Sequence, residues 1–140
     1  MKGSTTDVKL FTLEEARKVL PLVRQIVTEI VDGYRYLRTR IDALNAMLEK
    51  EPKEKTKAER KVQRNLEEEI SAVEQRMNNS VQELAGLGIE FKDYTMGLVD
   101  FPTKINGETA FLCWKLDEGD IQFWHTLESG FGGRKKIRGG

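Results

Sequence analysis

The sequence predicts an α+β fold: a long antiparallel two-helix hairpin followed by a small three-stranded antiparallel β-meander at the C-terminus. Three observations predict it. Apolar residues recur at alternating steps of three and four from Leu13 to Leu48, the seam of an amphipathic helix. The same pattern resumes from Val62 to Leu87. After Gly88 the period changes to short runs rich in aromatic and branched residues, interrupted by Asn106-Gly107, a tight-turn dipeptide.

The first helix is expected over about residues 13–50. Thr12 and Glu15 have the spacing of a capping box, with Phe11 before them as a staple. Pro21 removes one backbone hydrogen bond and is expected to kink the helix near its start. Leu22, Ile26 and Val31 widen the apolar arc between Val19 and Leu37, and beyond Arg38 the arc narrows. The charged run from Glu49 to Lys61, with Pro52 inside it, reads as a solvated turn. Thr56 and Glu59 repeat the capping box and open the second helix, which Gly86 or Gly88 should end. A helix of about 38 residues spans about 57 Å. A compact domain of this size is only about 37 Å across, so the distal hairpin should project beyond the rest.

The expected strands are Gly97–Thr103, Glu108–Leu116 and Asp120–Thr126. A turn at 106–107 pairs Phe101 with Leu112 and Val99 with Trp114. A tight turn centred on 118–119 would pair Leu112 with His125 and Trp114 with Phe123. That register sends His125 to the apolar face and Cys113 to the opposite, mixed face with Asp100 and Trp124.

The chain has 140 residues, the size of one domain, 1–140: hairpin over 11–88, meander and glycine-rich segment over 89–134, and a disordered tail over 135–140. Its 23 basic and 23 acidic residues cancel, which argues against a nucleic-acid or anionic-membrane partner held by bulk charge. No apolar run is long enough to span a bilayer. Met1 to Asp7 has no signal-peptide character. A single cysteine, Cys113, forms neither an internal disulfide nor a multi-cysteine zinc site. The expected compartment is the cytoplasm, and no cofactor is expected.

The segments Phe11-Thr-Leu-Glu-Glu-Ala16, Gly97-Leu-Val-Asp-Phe-Pro102, Leu112-Cys-Trp114, Trp124-His125 and Gly130-Phe131 through Gly133-Arg134 stand out in order and spacing. From about Phe11 to Arg134 the chain resembles domain-of-unknown-function family 2203. Asp117 departs from the glycine usual before the turn glutamate there. The resemblance implies a small bacterial-type cytoplasmic protein and supplies no reaction.

The residues with chemistry to offer are Asp100, Glu118, His125, Glu128 and Arg134. His125, the one histidine, is either a base or ligand or a half-buried structural group. Cys113 is expected to be a structural thiol, because the derived register separates it from His125; zinc shared by the two fails for the same reason. Asp100 is either solvated or paired with Lys115 or Arg134. Glu118, His125 and Glu128 have metal-ligand chemistry but not the geometry. Gly130, Gly132 and Gly133 let the chain fold back, burying Phe131 and bringing Arg134 to a carboxylate among Asp100, Glu118 and Glu128. That arrangement is a structural lock if it closes and an anion site if a cavity remains.

The leading function is a non-catalytic interaction or self-association module, with a second copy of the chain (a homodimer) or another protein as the partner of the hairpin. A small-ligand, anion or metal binder using the C-terminal sheet is the alternative. An enzyme using His125 with a carboxylate comes third.

Overall fold

The computed structural model describes residues 8–138. Helix α1 runs Leu13–Leu48 and helix α2 Lys57–Gly86, joined through a short 3-10 turn at Pro52–Glu54. Both capping boxes form as the spacing predicts, Thr12 with Glu15 and Thr56 with Glu59. Helix α1 continues unbroken through Pro21.

Five strands follow: β1 Glu90–Asp93, β2 Leu98–Ile105, β3 Glu108–Trp114, β4 Phe123–Thr126 and β5 Lys135–Lys136. They form one antiparallel sheet in sequence order. The three expected strands are its centre, and β1 and β5 add an edge on each side. Lys135 and Lys136, expected in a disordered tail, instead pair with Trp124 and Phe123, and Ile137 donates its N–H to Gln122 O at 2.8 Å. Gly139 and Gly140 lie outside the described residues, as do Met1 to Asp7.

One face of the sheet closes on the helices. Val99, Phe101, Leu112 and Trp114 join Ala16, Val23, Val27 and Ile30 of α1 and Leu84 of α2 in the core. Phe11 meets Phe101 edge to face, its centroid 5.4 Å away. Phe11 N–H donates to Pro102 O at 2.7 Å, and the Thr103 hydroxyl to Phe11 O at 2.6 Å. These bonds dock the start of α1 on β2. Every buried residue of α1 lies between Ala16 and Leu37, and every buried residue of α2 between Leu66 and Leu84. The distal parts of both helices therefore pack mainly on each other.

The β2–β3 register is the expected one, with Phe101 opposite Leu112 and Val99 opposite Trp114. The β3–β4 register is not. His125 lies opposite Phe111, Trp124 opposite Leu112 and Phe123 opposite Cys113, one residue from the expected pairing. Residues 115–122 do not continue the ladder. Glu118 folds back on Lys115, accepting its N–H at Oε1 (3.1 Å) and donating its own N–H to Lys115 O (2.9 Å). Ile121 turns fully into the core, and Arg17 and Arg24 of α1 donate to Ile121 O and Gly119 O. The loop is thus pinned to α1 rather than closed as a tight turn. A slip of one residue exchanges the two faces of β4.

Candidate functional site

The exchanged register places Asp100 on β2, Cys113 on β3 and His125 on β4 on the same outer face, away from the helices. Asp100 stands directly opposite Cys113 and His125 diagonally across from it, close enough for long side chains to meet. This corrects the expectation that Cys113 and His125 point apart. It also moves His125 off the apolar face, where Trp124 takes its place.

All three residues are buried. Asp100 and His125 are each 4% exposed and Cys113 is closed to solvent. His125 Nε2 lies 3.0 Å from Asp100 Oδ1, and Nδ1 lies 2.8 Å from the backbone oxygen of Thr126. A carbonyl oxygen only accepts, so Nδ1 carries a hydrogen. The short contact between Nε2 and a carboxylate oxygen then needs one proton between them. Burial pushes the Asp100 carboxyl above the usual carboxylate range, and the hydrogen bond from His125 opposes that rise. The ring of Phe111 lies against the imidazole, centroids 5.3 Å apart.

Burial, followed by the charge of Asp100, pushes the Cys113 thiol up to about 12; Arg134 acts in the opposite direction. Cys113 is therefore a thiol at neutral pH. Buried and protonated, it is placed as a structural group or a ligand rather than as a nucleophile.

Arg134 reaches the same face from the C-terminal side. The chain turns at Gly130, whose φ of 59° suits glycine, and passes through a 3-10 turn at Phe131–Gly133. Arg134 then forms a bidentate pair with Glu118, at 3.2 Å and 2.5 Å. Its guanidinium lies between the rings of Phe123 and Phe131, 4.0 Å and 4.6 Å from their centroids, with Nη1 3.9 Å from Cys113 Sγ. Of the carboxylates within reach of the turn, Glu118 is the one that Arg134 meets. Phe131 does not enter the apolar core. It covers Arg134 from outside and remains 36% exposed.

The five sequence-predicted residues thus sort into two pairs and one outlier. Asp100 pairs with His125, and Glu118 with Arg134. Glu128 is exposed on the turn after β4, which Thr126 and Ser129 close through their hydroxyls. Sequence reasoning placed Cys113 opposite Asp100, as observed, but sent His125 to the other face, because the expected β3–β4 register was one residue off.

A cleft of about 910 Å³ opens at the other end of the inner sheet face. Leu10, Leu13, Ile105, Leu112, Trp124 and Ile137 line it, and Lys104, Lys135, Lys136 and Arg138 stand around it without a lining carboxylate. Lys135 lies over the Trp124 ring, 5.4 Å from its centroid.

The fold and the two outer-face pairs define an α+β protein with a helical hairpin and a sheet whose outer face, away from the helices, carries buried polar chemistry. Residues 9–137 match the model of the family described as uncharacterized conserved protein (DUF2203), and the chain belongs to that family. No curated protein and no solved structure matches it. Among the described residues, no helix is long and apolar enough to cross a membrane.

Proposed function

We propose that the protein is a non-catalytic self-association module whose hairpin docks on the hairpin of a second copy. The observation that carries this reading is the open distal seam. Ile41, Leu48 and Val62 occupy seam positions of the two helices, yet they are 37%, 52% and 55% exposed. Two helices cover a seam from one side only, and a second hairpin completes a four-helix arrangement. Cyclic symmetry makes one exposed stripe sufficient for both partners. Light scattering tests the reading. A dimer is expected at micromolar concentration, reduced to monomer by Leu48→Glu with Val62→Glu. A wild-type monomer at high micromolar concentration would overturn it. The cytoplasm is the compartment that suits this reading, with the one thiol free and buried.

A second reading rests on the cleft. An apolar floor ringed by four cations, in a chain with no net charge, is complementary to a small amphipathic anion. The sheet end then serves as a ligand site and the hairpin as its assembly arm.

A further inference from the structure

We propose that Asp100, Cys113 and His125 form a metal site for a borderline-soft divalent cation, zinc first, clamping β2, β3 and β4 from the outer face. One carboxylate oxygen, one thiol sulfur and one imidazole nitrogen, from three adjacent strands, lie within 4.8 Å of one another. Donor atoms around a tetrahedral zinc are about 3.3–3.8 Å apart, given bonds of about 2.0–2.3 Å. The donors therefore start near the required spacing. The Asp100–His125 contact of 3.0 Å opens by a few tenths of an ångström to admit the ion.

The histidine is set for ligation. Its Nδ1–H is committed to Thr126 O, the outer-shell hydrogen bond that usually orients a metal-bound imidazole and leaves Nε2 as the donor. That same Nε2 faces Asp100. The proton needed between them when no metal is present is displaced when an ion takes its place, and the thiol proton of Cys113 leaves as well.

Charge also balances. The two cations nearest the cluster already have partners, Arg134 with Glu118 and Lys92 with Glu90 at 2.9 Å. What remains is one carboxylate and one thiolate against a divalent ion. A thiolate beside an imidazole and a carboxylate selects zinc-like ions over magnesium or calcium, which take oxygen donors. Three protein donors fill three of the four positions of a tetrahedral ion. The site stands apart from the hairpin seam, and so does not depend on self-association.

The test uses the full chain, reduced, stripped with a chelator and titrated with Zn²⁺ and with Co²⁺. One equivalent of Zn²⁺ is expected to raise Tm. Co²⁺ is expected to give a thiolate-to-cobalt charge-transfer band and the visible bands of a tetrahedral ion. Cys113→Ala places a small apolar residue at a buried strand position and leaves Asp100 and His125 paired, so it should fold, as circular dichroism will show; the charge-transfer band should vanish. His125→Gln should weaken Zn²⁺ binding at least about tenfold. The proposal is overturned if the wild type takes up no Zn²⁺ at micromolar concentration. A Co²⁺ complex without thiolate charge transfer, or a Zn²⁺ shift unchanged by Cys113→Ala, overturns it equally.

Discussion

Arg134 holds Glu118 through two parallel contacts, with both side chains nearly buried, at 14% and 13% exposure. The pair ties the C-terminal segment to the loop between β3 and β4, and the rings of Phe123 and Phe131 exclude water from both sides of the guanidinium. Arg134→Ala leaves Glu118 buried without its counter-charge, which should cost about 2–4 kcal/mol in a urea unfolding curve. Arg134→Lys should recover less than half of that, because an ammonium neither forks nor stacks as a guanidinium does. Full recovery by lysine would show that charge alone matters here.

The helices were legible because their signals are local. Thr12 and Glu15, and Thr56 and Glu59, lie three residues apart, and each box closes without help from the tertiary fold. The β2–β3 register was legible for the same reason: Asn106, at φ 54°, and Gly107, at φ 81°, determine the turn and hence the pairing. The β3–β4 register depends on distant residues. Arg17 and Arg24, about a hundred positions earlier, hold the loop carbonyls, and Ile121 is drawn into the core. No local pattern encodes those contacts, so the meeting of Cys113 with His125 was hidden. Strand β5 was hidden too, since its basic, exposed residues carry no strand periodicity.

Gly97 should be far less tolerant than Gly107. Both have positive φ, at 65° and 81°, so alanine at either site carries a backbone cost of about 1–2 kcal/mol. At Gly97 a new Cβ would also stand 2.8 Å from Val27 Cγ1 and 2.9 Å from Leu116 Cβ, whereas at Gly107 it meets nothing within 4 Å. Gly97→Ala is therefore expected to lose about 2–4 kcal/mol, adding overpacking to strain, and Gly107→Ala only the backbone part. Equal losses in thermal unfolding would show that the close approach of α1 to this turn has no energetic weight.

The capping boxes give the fold an acid limit. The Thr12 amide, followed by the charge of Lys9, holds the Glu15 carboxyl below its ordinary 4.5. The Thr56 amide, with Lys50, does the same for Glu59. A carboxyl lowered in the folded state contributes stability that is present above its unfolded value and lost as pH falls through the folded one. Stability should therefore decline below about pH 4.5 in the wild type. Glu15→Gln with Glu59→Gln should be less stable at pH 7 and flatter on the acid side, because glutamine keeps the reciprocal hydrogen bond and loses the charge. An unchanged acid profile in chemical denaturation would place the acid sensitivity elsewhere.

The cleft predicts a preference that separates charge from apolar attraction. Its floor includes Leu112 and Trp124, and its rim carries Lys135, Lys136, Lys104 and Arg138. Dodecanoate matches both parts. Trp114 is fully buried, whereas Trp124 lines the cleft, so a ligand-dependent change in tryptophan emission should come from Trp124. Dodecanoate is expected to bind at least about tenfold more tightly than dodecanol, since one well-placed charge-assisted contact is worth about 1.5–3 kcal/mol. Lys135→Glu with Lys136→Glu should abolish that preference while leaving dodecanol binding nearly unchanged, and raised salt should act in the same direction. If dodecyltrimethylammonium binds as tightly as dodecanoate, the rim does not select charge and the ligand reading of this cleft falls. If the anion binds more tightly than the alcohol, and that margin is lost in the charge-reversed variant, the sheet end is a ligand site that selects amphipathic anions.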